Sequence, residues 1–320
     1  MSETTEIAWC DSTFNGWEGC QKVGPGCDHC YAETRNARFA GGTAINWGPG
    51  APRRRTSVDN WRKPLKWNRD HAKFFTEHGR CQRVFCSSLS DVFDNEVPVA
   101  WRVDLLDLIR RTPRLDWLLL TKRIGNVRKQ LEDAGNYAFN HRQDDLHQWL
   151  REWLDGSPPV NVWLGATIVN REEMLRDAHK LKAVPARIRF WSVEPMLGDL
   201  DVIPLELMPN WVICGGESGT GARPMHPDWA RSLRDQCAIA GVPYLFKQWG
   251  CWAPGENAPG PMTRTEQAAW LMVDDTWDIS LVSPKAGEQM HRDDGPDVWR
   301  FGKKATGRML DGVTHDEFPT

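Results

Sequence analysis

Along the chain, short apolar runs alternate with longer segments in which apolar residues recur at helical spacing. Several runs are almost continuously apolar, as expected of parallel strands that are covered on both faces. We predict strands at Arg83–Ser87, Asp116–Leu120, Val162–Ala166, Ile188–Val193, Trp211–Gly215 and Pro243–Lys247. A short strand around Gly16–Gly19 would bring the number to seven.

The segments between these strands predict helices, among them Val99–Arg111 and Arg171–Lys182. The clearest is His226–Ala240, because Pro227 suits the first helical turn and Gly241 suits the C-terminal stop. Repeated strand–helix units predict an α/β protein with a parallel sheet and right-handed crossovers. The pattern leaves open a doubly wound sheet or a barrel.

Polar residues follow five of the predicted strands. Because the C-terminal ends of parallel strands meet at one edge of a sheet or barrel, these residues predict a ligand site there rather than ordinary loops. The segments are Ser87-Ser88-Leu89-Ser90-Asp91, Thr121-Lys122-Arg123, Ser192-Val193-Glu194-Pro195, Gly215-Gly216-Glu217-Ser218 and Lys247-Gln248-Trp249.

Charge is nearly balanced in this chain of 320 residues, with 40 Lys+Arg, 43 Asp+Glu and a formal net charge of −3. The balance excludes a histone-like basic protein and an acidic disordered chain. No apolar run reaches the roughly 18 residues of a membrane span. Residues 1–7 carry no apolar secretion signal. We therefore expect a soluble cytoplasmic protein with no membrane partner.

One stretch departs from this balance, since residues 51–70 contain seven basic residues and two acids, a local charge of +5. The basic residues are Arg53, Arg54, Arg55, Arg62, Lys63, Lys66 and Arg69. Trp61 and Trp67 lie among them, and basic residues mixed with aromatics suit a phosphate backbone and a stacking base. The alternative is a solvated loop anchored by the two tryptophans.

Nine cysteines are too sparse, and odd in number, for a disulfide scaffold in a chain without a secretion signal. Three lie in apolar strand or helix patterns and are predicted to pack as small hydrophobes: Cys86, Cys214 and Cys237. Cys20, Cys27 and Cys30 instead share a polar loop broken by Gly and Pro, with C-x6-C-x2-C spacing. This cysteine loop (residues 20–30) is unsuited to packing in a hydrophobic core, and its three thiols have the spacing of metal ligands.

Three chemistries compete for the cysteine loop. A structural zinc site needs four ligands, and the fourth would be Cys10, because His29 sits inside the C-x2-C turn. A redox dithiol would use Cys27 and Cys30 and leave Cys20 without a role. An iron–sulfur cluster held by three thiolates would leave one iron open to an external ligand.

A three-cysteine loop followed by an aromatic residue, at the start of a β/α chain, resembles radical S-adenosylmethionine (SAM) enzymes. Their usual spacing is C-x3-C-x2-C, and the first gap here is six. The chain resembles the phage Gp37/Gp68 family nearly end to end. The motifs that carry this resemblance are Thr13–Cys20, Gly26–Glu33, Arg83–Asp91, Leu120–Arg123, Asn161–Gly165, Ser192–Pro195, Gly215–Met225, Phe246–Gly250 and Gly302–Arg308.

The resemblance implies a partial (βα)6-type TIM-like barrel, as in radical SAM enzymes, over residues 1–252. A basic insertion would lie near residues 45–75, and residues 253–320 would form an irregular C-terminal extension. It also implies a [4Fe–4S] cluster on Cys20, Cys27 and Cys30, with SAM on the fourth iron. Reductive cleavage would give a 5′-deoxyadenosyl radical that abstracts a hydrogen from the substrate. An electron donor such as flavodoxin or ferredoxin is then required.

Roles for the other candidates follow from chemical need. The SAM carboxylate requires a cation, Lys122 or Arg123. Its ribose hydroxyls and amino group require acceptors, for which we consider Ser88, Glu194 and Glu217. The adenine would lie against Tyr31. Residues expected to face the substrate are Arg53, Arg54, Arg55, Trp61, Asp91, Lys247, Gln248 and Trp249.

The phage context and the basic stretch favour a nucleobase in DNA as the substrate. We expect isomerisation of an amino-acid-modified thymine in phage DNA hypermodification, in the cytoplasm of the host cell if the chain is phage-encoded. The base would have to leave the stack to reach a buried radical. Alternatives are a repair lyase similar to spore photoproduct lyase, and a non-catalytic nucleic-acid-binding protein stapled by zinc or an inert cluster.

Overall fold

The computed structural model describes residues 5–258, 260–284, 292 and 295–320. Within these ranges the strands, numbered along the chain, are β1 (Ser12–Phe14), β2 (Trp17–Glu18), β3 (Arg54–Arg55), β4 (Gln82–Cys86), β5 (Leu115–Thr121), β6 (Val162–Thr167), β7 (Ile188–Val193), β8 (Trp211–Gly215), β9 (Tyr244–Gln248), β10 (Trp252–Ala253), β11 (Glu266–Leu271), β12 (Trp277–Val282) and β13 (Val298–Arg300).

The helices are α1 (Tyr31–Phe39), α2 (Val58–Arg69), α3 (His71–His78), α4 (Val99–Arg110), α5 (Val127–Asn140), α6 (Asp144–Leu154), α7 (Arg171–Ala183), α8 (Pro227–Ala240) and α9 (Lys303–Thr306). The three helices predicted from apolar spacing are confirmed, as α4, α7 and α8. In α8, His226 is the N-cap and Gly241 ends the helix with a φ of 65°. This is the left-handed conformation that glycine adopts without strain.

The main sheet has seven strands in the order β1-β4-β5-β6-β7-β8-β9. Pairing is parallel between β1 and β4, β4 and β5, β5 and β6, and β8 and β9. The order follows the chain without a reversal, so the sheet is not of the doubly wound type, in which the order reverses at a switch point. All six strands predicted as apolar runs are present, with ends shifted by at most one residue.

The prediction of a partial (βα)6-type TIM-like barrel is wrong, because the main sheet has seven strands and stays open. The edge strands of the main sheet, β1 and β9, do not pair with each other, and a barrel requires that closure. The count also differs, because the three-residue strand β1 precedes the six predicted ones. The strand expected around Gly16–Gly19 is β2, which pairs antiparallel with β3 outside the main sheet.

The chain divides into two compact units. The first comprises residues 1–167 and 177–190, and the second comprises residues 168–176 and 191–320. In the first unit, Phe14 packs edge-on against Trp61 and Trp117, at ring-centroid distances of 5.5 and 5.6 Å. Its fully buried side chains include Val84, Leu106, Leu118, Leu131, Trp153 and Leu164.

The second unit contains buried strands β8 and β9 and a separate antiparallel sheet of order β10-β13-β11-β12. The expectation of an irregular C-terminal extension is therefore wrong. Trp252 and Val298 pack with Ala222, Cys251 and Ala269, so the second sheet has its own apolar cluster. Pro- and Gly-rich sequence at residues 253–261 extends from the end of its strand β10 towards β11 and concealed the sheet. Among the described residues, no helix is long and apolar enough to cross a membrane.

Candidate functional site

Asn15, the residue that follows β1, organises the C-terminal ends of the first strands. Its side chain is fully buried; Oδ1 accepts from the Leu89 N–H at 2.7 Å, and Nδ2 donates to Ser88 Oγ at 3.0 Å. Its carbonyl oxygen accepts from Thr56 Oγ1 and from Asn60 Nδ2, both at 2.8 Å. One asparagine therefore joins the loop after β4 to the start of α2.

The loop after β4 holds two of the predicted cofactor residues together. Ser87 has a φ of 68°, unusual for a residue other than glycine, and its N–H donates to the Phe14 carbonyl at 2.8 Å. Such a conformation costs on the order of 1–3 kcal/mol and persists only where neighbouring groups fix it. The next carbonyl, that of Ser88, accepts from the Tyr31 hydroxyl. Tyr31 is 59% exposed, so its ring faces solvent from a fixed position.

Asp91, predicted to face the substrate, is buried and bonded to protein groups. It accepts from the Phe93 N–H at 2.9 Å, from Thr121 Oγ1 at 2.8 Å and from the Lys122 N–H at 3.0 Å. Its Oδ2 also accepts from Arg123 Nη1 at 3.1 Å. The carboxylate thus ties the loop after β4 to the loop after β5.

The two cations after β5 have different surroundings. The Arg123 side chain is 6% exposed, and besides Asp91 it contacts Cys20 Sγ at 3.5 Å and the Gln21 carbonyl at 2.8 Å. The Lys122 ammonium donates to Thr167 Oγ1 at 3.3 Å, which is a neutral acceptor. Lys122 is therefore better suited than Arg123 to receive an anionic ligand group.

The three cysteines of the loop have unequal environments. Cys20 is half-buried, Cys27 is buried at the end of a 3-10 turn (Pro25–Cys27), and Cys30 is the N-cap of α1. Burial raises the pKa of the Cys20 thiol to about 12; Asp91 raises it further, and Arg123 opposes both. The nine cysteines all lie in the described ranges, and no disulfide joins any two of them.

The donor atoms of the loop test whether it fits an iron–sulfur cluster. Three thiols within eleven residues are suitable donors in kind and number. Within the described ranges, however, no three His, Cys, Asp or Glu side chains are gathered closely enough to hold a metal ion. The donor chemistry fits, and the loop would have to close for the three sulfurs to converge.

The predicted DNA-facing residues of the basic stretch are divided between the interior and the surface. Arg53 is fully enclosed, with Nε 2.7 Å from Asp94 Oδ2. Arg54 pairs with Glu18, and Arg55 pairs with Asp104 and lies over the Trp61 ring at 4.6 Å. Trp61 is packed against Phe14 and Arg55 rather than standing as an open stacking platform.

A shallow surface pocket of about 250 Å³ lies beside the β2–β3 ribbon. Its lining residues are Glu18, Arg54, Arg55, Thr56 and Ser57. Ser57 is the N-cap of α2, where its hydroxyl accepts from the Asn60 N–H at 3.4 Å. The pocket is close in sequence to the cysteine loop, because Glu18 precedes Cys20 by two residues.

In the second unit, Glu194, Lys247 and Gln248 form one cluster. The Lys247 ammonium lies 2.7 Å from Glu194 Oε1 and 2.8 Å from Oε2, and Gln248 Nε2 donates to Glu194 Oε1 at 3.0 Å. Gln248 Nε2 also approaches Ser218 Oγ at 3.3 Å. These groups follow or end β7, β8 and β9, so the expectation that strand ends gather polar residues holds within this unit.

Two other candidates of the second unit make interactions that stabilise their own loops. Glu217 accepts from the Arg223 N–H at 2.8 Å and from the Arg223 guanidinium at 2.6 and 2.9 Å. These contacts close the glycine-rich segment between β8 and α8. Trp249 is 1% exposed, its ring packs against Phe246, and its Nε1 donates to the Met309 carbonyl at 2.8 Å.

Comparison with known proteins places this chain in a family. A family model described as protein of unknown function (DUF5131) matches residues 4–319. The chain belongs to this family. No curated protein and no solved structure matches it. Because the DUF5131 description assigns no activity, a function for the chain has to be argued from its own residues.

Sequence reasoning did not select four residues that organise these clusters in the DUF5131 chain. Asn15 and Asp94 hold the strand ends of the first unit, Thr167 receives Lys122, and Arg223 holds Glu217. Asn15 lies inside a motif quoted above, Thr13–Cys20, and its position directly after a strand was the available signal. Asp94 and Thr167 have partners 41 and 45 residues away, so the sequence carried no comparable sign for them. Arg223 lies six residues after Glu217 within the motif Gly215–Met225, and that proximity was its available signal.

Proposed function

We propose that the protein is a radical SAM enzyme whose cluster is held by Cys20, Cys27 and Cys30, and that it rearranges an amino-acid-modified thymine base in DNA. The observation that carries the proposal is the setting of the cysteine loop. It lies against Arg123, after β5, and its following residue Tyr31 bonds to the carbonyl of Ser88, after β4. Ligand sites of parallel α/β proteins form at such strand ends.

When bound, the [4Fe–4S] cluster supplies the electron that cleaves SAM to a 5′-deoxyadenosyl radical. The protein's own groups bind and orient. We assign the SAM carboxylate to the Lys122 ammonium and the adenine to the exposed face of Tyr31, with Ser88 Oγ as an acceptor nearby. The assignment of Glu194 and Glu217 to the amino group and ribose hydroxyls of SAM stays a prediction. Both carboxylates already pair with cations of the protein, Glu194 with Lys247 and Glu217 with Arg223.

DNA as the substrate is supported by the exposed cations of α2. Arg62, Lys66 and Arg69 follow one another at helical spacing on its solvent face, and Arg54 is exposed beside the pocket. The partners of Arg62 and Arg69 are Asp59 and Asp70, which are also exposed. Exposed pairs are weak, so these cations can exchange a carboxylate for a phosphate at little cost.

The proposal also includes an electron donor such as flavodoxin or ferredoxin and a cytoplasmic location, in the host cell if the chain is phage-encoded. Both follow from the chemistry. A reduced cluster needs a one-electron supply, and thiol ligands remain reduced in the cytosol.

Anaerobic reconstitution with iron and sulfide, followed by dithionite and SAM, tests the proposal. We expect release of 5′-deoxyadenosine by the wild-type protein, and loss of both cluster absorbance and product in the variant Cys27→Ala. Cys81→Ala is the matched control, because Cys81 is half-buried and lies outside the loop. A Cys27→Ala protein that still cleaves SAM would overturn the proposal.

A second candidate is a non-catalytic nucleic-acid-binding protein in which the cysteines hold zinc or an inert cluster. It is favoured by the internal pairing of strand-end charges, such as Asp91 with Arg123 and Glu217 with Arg223. This candidate predicts no SAM binding and a DNA affinity that falls steeply with salt. Equilibrium binding of SAM to the reconstituted protein distinguishes the two.

A further inference from the structure

Arg123 contacts the cysteine loop through both terminal nitrogens of its guanidinium, and binding a SAM carboxylate would not require these contacts. Its Nη2 donates to the Gln21 carbonyl at 2.8 Å, and its Nη1 lies 3.5 Å from Cys20 Sγ. The same guanidinium contacts Asp91 at 3.1 Å and Asp94 Oδ1 at 3.9 Å. With a side chain only 6% exposed, it has little surface left for an external carboxylate.

The groups that hold Arg123 are themselves fixed. Asp91 is bonded to the backbone N–H groups of Phe93 and Lys122 and to the Thr121 hydroxyl. Asp94 is fully enclosed and bonded to Arg53. A guanidinium is a planar fork whose orientation is set once two of its nitrogens are engaged. Arg123 is therefore rigidly placed, and the start of the cysteine loop is attached to it.

We propose that Arg123 is a positioning residue: it fastens the cysteine loop to the ends of β4 and β5 and donates a hydrogen bond to Cys20 Sγ, leaving the anionic end of SAM to Lys122. The loop-fastening part is independent of the proposed function. The donation to a cluster-bound sulfur rests on the proposed function. Hydrogen bonds to ligand sulfurs stabilise the reduced, more negative cluster and so raise its reduction potential.

The first test uses the protein as purified and needs no cluster. Hydrogen–deuterium exchange is compared between wild type, Arg123→Met and Arg123→Lys. We expect amides of residues 21–30 to exchange on the order of tenfold faster in Arg123→Met, because the loop can then open without breaking the hydrogen bonds that Arg123 donates to Gln21 and Cys20. Arg123→Lys keeps the charge beside Asp91 but lacks the planar guanidinium, so its exchange rate for residues 21–30 should lie between those of wild type and Arg123→Met.

Peptides covering β6, in the same unit as Arg123, serve as the internal reference, since a general loss of stability of the first unit would speed their exchange as well. Arg62→Met is the matched control, because Arg62 is an exposed arginine paired with an exposed acid. Unchanged exchange of residues 21–30 in Arg123→Met, with β6 also unchanged, would overturn the loop-fastening role. Faster exchange confined to residues 21–30 would support it.

The second test is the reduction potential of the reconstituted cluster at matched iron content. We expect a more negative potential in Arg123→Met and a partial return in Arg123→Lys, an effect that packing alone would not produce. Equal potentials in all three proteins would contradict donation to Cys20. If the wild-type protein forms no cluster, the proposed function fails, and the exchange experiment still decides the loop-fastening role.

Discussion

Replacing Asp94 with alanine removes the carboxylate that holds Arg53 inside the first unit. The Asp94 and Arg53 side chains are both fully enclosed, and Asp94 Oδ2 accepts from Arg53 Nε at 2.7 Å. Arg53 Nη1 donates to the carbonyls of Asn46, Gly48 and Ala51. These oxygens carry no net charge, so Asp94→Ala leaves an enclosed guanidinium without its nearest counter-charge.

The expected cost follows from this enclosure. Removing one partner of a buried ion pair typically costs about 3–5 kcal/mol, because the remaining charge stays desolvated. The Nη2 of Arg53 is already buried without a hydrogen-bond partner in the described part of the chain, so the guanidinium is incompletely solvated even before Asp94 is removed. Against a typical total stability of about 5–15 kcal/mol, this loss is large. Asp94→Asn keeps an acceptor and should cost less.

Urea-induced unfolding, followed by tryptophan fluorescence and circular dichroism, measures this cost. Asp59→Ala is the control, because Asp59 and its partner Arg62 are 87% and 72% exposed. The urea midpoint of this variant should not differ measurably from that of the wild type. A loss below about 1 kcal/mol in Asp94→Ala would refute the reasoning, since it would mean that Arg53 is solvated or rebonded at no cost.

Two further predictions concern packing and pH. A Cβ on Gly165 would lie 2.3–2.6 Å from atoms of the Phe190 ring, so Gly165→Ala should destabilise the first unit by about 1–3 kcal/mol, with recovery on adding Phe190→Leu, as measured by urea unfolding. Burial would raise the pKa of Asp11, but the Arg80 side chain and the Arg83 N–H outweigh it and hold that pKa below its ordinary value. A lowered acid pKa stabilises the folded state at neutral pH, and this contribution is lost as the pH falls below about 4. Asp11→Asn should therefore show a flatter decline in thermal midpoint on acidification, and an unchanged slope would exclude this role.

Elements with a local signature could be predicted from the sequence. Helix α8 is an example, because its N-cap, its Pro227 and its terminal Gly241 are all encoded within a few residues of the helix. Cys86, Cys214 and Cys237 are buried as expected, since apolar neighbours in a strand or helix already imply burial. Whether the sheet closes into a barrel could not be predicted, because it depends on whether two strands distant in sequence pair with each other.

The candidate site was predictable in composition but not in pairing. Residue types at strand ends indicated where charges gather, and Lys122 and Ser88 were selected on that basis, whereas Tyr31 was selected because it follows the third cysteine of the loop. Arg53 and Asp94 are 41 residues apart, and nothing in either segment marks the other as its partner. Whether a cation is bound internally or can still receive a ligand is decided by such distant contacts, and it changes the role assigned to each residue.

Lys122 and Lys247 illustrate how these contacts bear on ligand binding. Under the proposed function, a SAM carboxylate arriving at Lys122 would replace a bond to the neutral Thr167 hydroxyl. At Lys247 it would have to displace Glu194, a carboxylate that is 16% exposed and would lose its cation while keeping the hydrogen bond from Gln248. Leaving the Glu194 carboxylate without its cation costs about 1–3 kcal/mol, roughly the free energy that a new hydrogen bond between the ligand and a charged group would gain.

We therefore expect Lys122→Met to weaken SAM binding about 10- to 100-fold, the equivalent of roughly 1.4–2.8 kcal/mol. Lys247→Met should change it by no more than about threefold, because its ammonium contributes mainly to holding Glu194. Anaerobic equilibrium dialysis of the reconstituted proteins with labelled SAM measures both. An equal loss in the two variants, or a larger one in Lys247→Met, would show that internal pairing does not determine which strand-end cation binds the ligand.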